Sequence, residues 1–182
     1  MNTAKFKPAF EEIQKRMELP EYLKIICSNL VGGKLTDIQT INEILSSYNI
    51  PHSIAKIEFL QLIFEYIKFS LEDDVLTNDE RDDIIYLKRL FKIQPGDFYV
   101  HNKWELEKVI TYQLSKIYQD NYVTPEEALL KVDLQELFDL SFDQMNEYAK
   151  KEATASIKKG ADAEDLDIFF TYNEYFKLKS GQ

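Results

Sequence analysis

The sequence is short of the residues that build disulfides, tight turns and membrane spans. Its single cysteine, Cys27, cannot form an intramolecular disulfide, which favours a reducing compartment. Five glycines and five prolines in 182 residues are too few for a turn-rich β protein or a low-complexity chain. No apolar run approaches the roughly 18 residues of a membrane-spanning helix, and the N-terminus shows no secretory signal. We therefore expect a cytoplasmic protein without a membrane span.

Basic residues are also scarce, at 22 Lys plus Arg against 32 Asp plus Glu, which gives a net charge of −10. Phosphate backbones and anionic membrane surfaces are bound by basic patches, so we expect no nucleic-acid partner. The two histidines, His52 and His101, lack the spacing of a metal-binding or catalytic motif. Glycine-rich phosphate loops and the GxSxG and HExxH motifs are absent as well. These absences favour a protein that is not an enzyme.

An internal repeat organises the chain, since residues 56–98 fall on residues 103–145 without a gap and with nine identical pairs. Each copy has an amphipathic helix, an acidic connection and a second helix. Thr77 with Glu80, and Thr124 with Glu127, match the capping box that opens a helix. Thr36 with Gln39 also matches the capping box and indicates the start of a degenerate third copy. A repeated helix pair predicts an all-α fold.

We expect one domain over residues 1–182, a bundle of about seven to nine helices. The periodic segments predict helices near 6–18, 20–31, 37–48, 53–70, 78–92, 102–119, 125–139 and 142–159. Apolar residues within these helices are predicted to form the core, and Trp104 is counted among them. Cys27 lies in an apolar neighbourhood and is predicted to be a buried, unreactive thiol.

The last segment, residues 161–182, is acidic and then aromatic. It predicts a short helix near 163–169 followed by a tail. The segment has more aromatic residues than a solvent-exposed tail needs. We therefore expect its aromatic side chains either to dock on the bundle or to bind a protein partner, and we favour docking. The candidate partner-binding residues are Phe169, Phe170, Tyr172, Tyr175 and Phe176.

Clustered carboxylates in the two connections are candidates for binding a hard cation such as Ca²⁺ or Mg²⁺. The candidate ligands are Asp73, Asp74, Glu80, Asp120 and Glu127. The alternative interpretation is structural, because the helix dipole favours acidic residues in the first turn. Capping accounts for the Thr and the Glu of each connection. It does not account for the Asp that recurs four residues before each Thr, so that Asp favours the metal hypothesis.

The tandem pattern Asp–x–x–[Ile/Leu/Val]–Thr–x–x–Glu resembles the tellurite-resistance TerB family over roughly residues 50–145. The two matches run from Asp73 to Glu80 and from Asp120 to Glu127. The glycine usual in that family is replaced by Asp74 and Asn121, which both tolerate a left-handed backbone. The resemblance implies an all-α fold, a link to tellurite resistance or another stress response, and acidic residues that bind divalent cations.

Three functional hypotheses follow. The first is a non-enzymatic binding or regulatory module of TerB-like type that binds a divalent cation or a protein partner. The second is a metal-dependent hydrolase that uses the clustered carboxylates. The third is a protein-interaction scaffold whose acidic surface only confers solubility. A protein partner is expected under the first and third hypotheses.

Overall fold

The computed structural model describes residues 6–34, 37–73 and 75–180, without the side chains of residues 172, 175, 179 and 180. Within these residues the chain forms ten α-helices and no β-strand. The helices are α1 (Phe6–Arg16), α2 (Glu21–Val31), α3 (Ile38–Ser47), α4 (His52–Ser70), α5 (Asn78–Leu90), α6 (Asp97–His101), α7 (Lys103–Ile117), α8 (Pro125–Leu137), α9 (Phe142–Lys158) and α10 (Tyr172–Ser180). The all-α prediction is confirmed. None of the described helices is long and apolar enough to cross a membrane.

Two helices lie outside the predicted set. The short helix α6 and the C-terminal helix α10 have no counterpart among the predicted segments. Residues 163–167 form turns, so the helix predicted near 163–169 is wrong. The C-terminal helix starts later, after Thr171, whose hydroxyl oxygen accepts a hydrogen bond from the Glu174 N–H at 3.4 Å. The Thr171–Glu174 pair carries the same Thr-x-x-Glu signature as the repeats, so the sequence contained the signal.

The chain divides into two compact units, Met1–Asp97 and Phe98–Gln182, with the boundary inside α6. The first unit ends at Asp97, one residue before the end of the first copy of the repeat, 56–98. The second unit starts at Phe98 and contains the whole second copy, 103–145. Each unit is therefore built around one copy of the helix pair. The expectation of one domain over residues 1–182 stays a prediction.

The first unit is organised by α4, which packs against α1, α3 and α5. Its buried residues point to several sides, and they include the predicted Phe59, Leu62, Ile63 and Ile67. A helix that buries apolar residues on several sides needs several neighbouring helices. The unit supplies them, and α2 completes it by packing against α1 and α3. The Tyr66 hydroxyl donates a hydrogen bond to the buried Asp83 carboxylate at 3.0 Å.

In the second unit, α7 packs against α8 and α9, and α9 also packs against α10. The buried face of α7 contains Leu106, Ile110, Leu114 and Ile117, as the periodicity predicts. Trp104 is 64% exposed, so its predicted place in the core is wrong. It precedes Leu106 by two residues, which puts it about 200° around a helix that turns 100° per residue. Its position on the far side of α7 follows from this spacing.

The helix pairs of the two units start their second helix in the same way. Thr77 Oγ1 accepts from the Glu80 N–H at 3.3 Å, and Glu80 Oε2 accepts from the Thr77 N–H at 2.9 Å. Thr124 and Glu127 form the same reciprocal pair at 3.2 and 2.9 Å. Both predicted capping boxes are confirmed. In the N-terminal region the residue that caps α3 is Asp37, which accepts from the Thr40 N–H. The predicted capping box of Thr36 with Gln39 is therefore wrong, and Thr36 itself lies outside the described residues.

The second helices also end alike. Lys92 and Asp139 occupy equivalent positions with φ of 55° and 52°. The next residue of each copy donates its N–H back to the carbonyl five residues earlier, Ile93 to Lys88 and Leu140 to Gln135, both at 2.9 Å. This pattern is the Schellman motif, which satisfies carbonyls at the helix end. The copies thus agree in helix starts and helix ends as well as in sequence.

Removal of a cap should destabilise either helix pair. Thr77→Ala and Thr124→Ala are each expected to lower the free energy of unfolding by about 1 kcal/mol, because each deletes the side chain that pairs with an otherwise unsatisfied helix-start N–H. Urea denaturation followed by circular dichroism measures the loss. Thr77→Ser and Thr124→Ser keep the hydroxyl and serve as controls with near wild-type stability. Equal stability of the Ala and Ser variants would contradict the role of these caps.

Candidate functional site

The recurring aspartates of the acidic connections have a local role that the sequence interpretation missed. Asp73 Oδ1 accepts a hydrogen bond from the Val75 N–H at 3.3 Å. In the second copy, Asp120 Oδ1 accepts from the Tyr122 N–H at 3.2 Å. A side-chain bond to the N–H two residues on is the Asx turn, which shapes a tight connection. An Asp four residues before each Thr is therefore explained without a ligand.

The predicted metal residues are also engaged in helix starts. The carboxylates of Glu80 and Glu127 complete the capping boxes, each accepting from the backbone and the hydroxyl of its Thr. Among the described residues, no group of three or more Asp, Glu, His or Cys side chains is arranged to hold a metal ion. Asp74 lies outside those residues. Cation binding stays a prediction, with a structural role now assigned to Asp73, Asp120 and these two glutamates.

The histidines and the cysteine occupy positions set by the fold. His52 is the first residue of α4 and His101 the last of α6, so both lie at helix ends. Burial lowers the pKa of His52, and the nearby Lys92 and Lys56 lower it further. Cys27 is completely buried in α2, and burial raises the pKa of its thiol to about 12. The predicted buried, unreactive state of Cys27 is supported by both observations.

Residues 161–171, called here the C-terminal strap, dock on α8 and α9. Leu166 is completely buried. The Lys131 ammonium of α8 donates to the Asp167 carbonyl and, at 2.9 Å, to the Asp167 carboxylate. Asn146 of α9 donates to the Phe169 carbonyl at 3.2 Å. The Val123 N–H donates to the Asp165 carbonyl at 2.8 Å. The strap is therefore held mainly through its backbone.

The aromatic side chains of the C-terminal segment are not all buried when the strap docks on α8 and α9. Phe169 and Phe176 are exposed, whereas Phe170 is half-buried near the Lys150 ammonium. The side chains of Tyr172 and Tyr175 lie outside the described part of the structure. The docking that the sequence favours therefore applies to the segment's backbone and Leu166. It does not bury Phe169.

Helix α10 is attached by a charged pair. The Lys150 ammonium donates to both carboxylate oxygens of Glu174 at 2.9 Å, and the backbone and hydroxyl of Thr171 donate to the same carboxylate. Hydrogen bonds from Lys150, and then from Thr171, lower the pKa of Glu174 to about 2. Because the carboxylate is exposed, the pair fixes the position of α10 more than it stabilises the fold.

An apolar groove lies between α8, α9 and the C-terminal strap, and its volume is about 460 Å³. Phe142 and Phe169, both 62% exposed, line it together with Val132, Met145 and Ile168. Ala128, Ala149 and Ala163 add small side chains to the lining. Its charged lining residues are Lys131, Glu164 and Asp167, and the Lys131 ammonium is already bound to Asp167. The groove can accept an apolar side chain and presents carboxylates beside it.

A second, polar pocket of about 370 Å³ lies between α6, α7 and α9. Each of its lining residues carries a polar group, and they are Tyr99, Lys103, Glu107, Thr111, Gln144, Glu147, Tyr148 and Lys151. Burial, and then the charges of Glu107, Tyr99 and Glu147, raise the pKa of Tyr148 to about 12. The phenol is therefore a hydrogen-bond donor at neutral pH and does not act as a base there. This pocket contains charges of both signs, and the Lys103 ammonium lies 3.9 Å from the Glu107 carboxylate.

Comparison of the chain with protein-family models, with curated proteins and with solved structures gives no match. The resemblance to the TerB family therefore rests on the two acidic connections alone and stays a prediction.

Proposed function

We propose that the protein is a non-enzymatic binding module whose groove in the second unit accepts apolar side chains from a helical segment of a protein partner. One observation carries the proposal: Phe142 of α9 and Phe169 of the strap line the same groove and both remain 62% exposed. Large aromatic side chains that stay in solvent around a concave apolar surface are typical of interaction sites.

The size and composition of the groove fit a side-chain anchor. Its volume of about 460 Å³ is within the range of ligand pockets, which is roughly 300–1,000 Å³. Small side chains at Ala128, Ala149 and Ala163 let a partner's side chain approach the backbone of α8, α9 and the strap. A row of leucine or aromatic residues on one face of a helix would bury its anchors there, in the mode of helix-in-groove recognition.

Charge favours a basic partner. The ion pair between Lys131 and Asp167 balances one positive and one negative charge of the lining. Glu164 adds a further carboxylate to the lining, and Asp143 follows Phe142 in the first turn of α9. With a net charge of −10 for the whole chain, the field around this groove attracts Lys and Arg residues beside the apolar anchors.

The test uses a fluorescein-labelled, 16-residue synthetic helical peptide with leucine on one face and lysine on the other. We expect saturable binding by fluorescence anisotropy. Phe142→Ala with Phe169→Ala should weaken it at least about tenfold, since the loss of central aromatic contacts costs more than about 1.4 kcal/mol. Both side chains are exposed, so the double variant should keep its stability within about 0.5 kcal/mol per site.

Leu129→Ala is the matched control, because Leu129 is 57% exposed on α8 and does not line the groove. Its affinity for the peptide should equal that of the wild type. A second peptide with alanine in place of leucine should not bind. If the Phe142→Ala, Phe169→Ala protein and the Leu129→Ala protein bind the leucine peptide equally, the groove is not the site.

The other hypotheses remain sequence-based proposals. Binding of Ca²⁺ or Mg²⁺, metal-dependent hydrolysis, a purely scaffolding role and a link to tellurite resistance or stress are each compatible with the acidic connections. The groove supports neither cation binding nor metal-dependent hydrolysis. Its described lining has two carboxylates, Glu164 and Asp167, and no third metal-ligating side chain beside them.

A further inference from the structure

Helices α6 and α7 repeat one pairing of side chains, an aromatic ring followed four residues later by a lysine. The Lys103 ammonium lies 4.9 Å from the centre of the Tyr99 ring, Lys108 lies 3.2 Å from Trp104, and Lys116 lies 4.6 Å from Tyr112. Trp104, Lys108, Tyr112 and Lys116 follow one another at intervals of one helical turn and span about 18 Å of α7. These four residues are called here the Trp104 face.

The Trp104 face is open to solvent at its two aromatic residues, Trp104 at 64% and Tyr112 at 58%. A cation–π pair at an exposed site is worth about 0.5–1 kcal/mol, so two pairs contribute to the helix itself. Pairs of smaller or more polar side chains would stabilise the helix to the same extent, so helix stability alone does not account for a Trp and a Tyr here. Exposed Trp and Tyr carry large apolar surfaces with a polar group, the combination that is enriched at protein interfaces.

The internal repeat provides a comparison within the same chain. The positions of the first copy that correspond to the Trp104 face are Ile57, Gln61, Glu65 and Phe69 of α4. None of these forms an aromatic–lysine pair, and α4 is nevertheless a helix of 19 residues. The helix pair of the repeat therefore forms without these residues, which points to a role for them outside the fold.

We propose that the Trp104 face is an interaction surface for an acidic, amphipathic helical segment of a partner protein. Charge complementarity indicates the chemistry of the partner. The four residues include two lysines and no carboxylate in a chain of net charge −10. Lys108 and Lys116 lie two turns apart, about 12 Å along the helix, which matches glutamates two turns apart on a facing helix. Leucines between those glutamates would contact the rings of Trp104 and Tyr112.

A nucleic acid fits this surface less well than a protein segment. A polyphosphate chain longer than the face would meet the surrounding acidic residues, beginning with Glu105 and Glu107 on α7 itself. A helix carries its few charges at chosen positions and avoids that repulsion. None of the four residues lines the groove, so the inference is independent of the proposed function.

Trp104 is the single tryptophan of the chain, so its fluorescence reports on this face alone. The probe is an 18-residue synthetic helical peptide with leucine and glutamate on adjacent faces. We expect a saturable change in Trp104 emission, with affinity that falls as salt rises from 50 to 500 mM, because screening weakens exposed charge pairs. The same peptide with glutamine in place of glutamate should bind about tenfold more weakly or worse.

Lys108→Glu with Lys116→Glu should weaken binding of the acidic peptide at least about tenfold, since attraction becomes repulsion. Lys108→Gln with Lys116→Gln should lose an intermediate amount of affinity, because it removes the attraction without adding repulsion. Circular dichroism checks that both double variants are folded. Lys15→Glu with Lys24→Glu is the matched control at exposed lysines of the first unit, and it should bind as the wild type does.

Three outcomes would overturn the proposal. The first is unchanged Trp104 emission with the acidic peptide. The second is equal affinity in the wild type and in the Lys108→Glu, Lys116→Glu variant, which would leave the lysine–aromatic pairs as helix-stabilising contacts. The third is tighter binding of a 12-nucleotide oligothymidylate than of the peptide, which would assign the surface to single-stranded nucleic acid.

Discussion

Replacement of Phe91 or Phe138 by alanine should each lower the free energy of unfolding by about 3–5 kcal/mol. The two residues are equivalent in the repeat, and both are completely buried at the end of a second helix. Phe91 stacks on Phe59 with ring centres 4.2 Å apart and planes within 4°. Phe138 meets Phe98 edge-on at 5.6 Å. Each substitution leaves a cavity and removes an aromatic contact worth about 0.5–1.5 kcal/mol.

Losses of this size are large against the roughly 5–15 kcal/mol that holds a typical domain folded. Urea denaturation followed by circular dichroism measures them. Trp104→Ala, at an exposed site of the second unit, is the control and should shift the stability by about 1 kcal/mol or less. A loss below about 1 kcal/mol for both phenylalanine variants would show that these rings are not packed as described.

Cys27 in the folded protein should react with iodoacetamide at least about a hundredfold more slowly than in the unfolded chain, because burial both withholds the thiol from the reagent and raises its pKa. Burial raises the pKa of its thiol from 9.0 to about 12, and each pKa unit reduces the reactive thiolate about tenfold at a pH below both values. Mass spectrometry of labelling at pH 8, with and without urea, measures the ratio. Because the chain has one cysteine, no other thiol contributes to the signal.

The dependence on pH has a defined sign. The folded state favours the neutral thiol, so this group stabilises the fold fully below pH 9.0 and the contribution is lost as pH rises towards about 12. The labelling rate of the folded protein should therefore keep rising about tenfold per pH unit above pH 9.0, where the unfolded chain levels off. Equal rates in the folded and unfolded states would contradict the burial of Cys27.

Local chemistry explains what the sequence could predict. The Thr-x-x-Glu signatures placed the starts of α5 and α8 correctly, since the capping box is a contact between residues three apart. Gly160, with φ of 109°, follows Lys159, the C-cap of α9, which is the usual place of a helix-ending glycine. The apolar spacing likewise predicted the buried faces of α4 and α7.

One wrong prediction contradicts a signal in the sequence itself. The position of Trp104 relative to Leu106 excludes the core side of α7. For the Asp residues before each Thr, the sequence also fits an Asx turn, a contact over two residues, and the structure shows that turn in both copies. Their predicted role as cation ligands stays a prediction.

The groove could not be predicted in this way. It depends on the strap, whose path is set by the contact of Lys131 with Asp167, 36 residues apart. The two oppositely charged side chains give no sequence signal of their partnership, because a lysine and an aspartate occur throughout the chain. The exposure of Phe142 and Phe169 at one groove likewise follows from the docked strap, beyond the range of helical periodicity.

The most direct test of the groove as a binding site is a methyl NMR titration of the 182-residue chain with the leucine–lysine peptide. We predict shifts confined to the methyl groups of Val132, Met145, Ala149 and Ile168, which line the groove. The methyl groups of Leu62 and Ile63, buried in the first unit, should stay unchanged. Unchanged groove methyls at a peptide concentration that saturates the anisotropy signal would contradict the account.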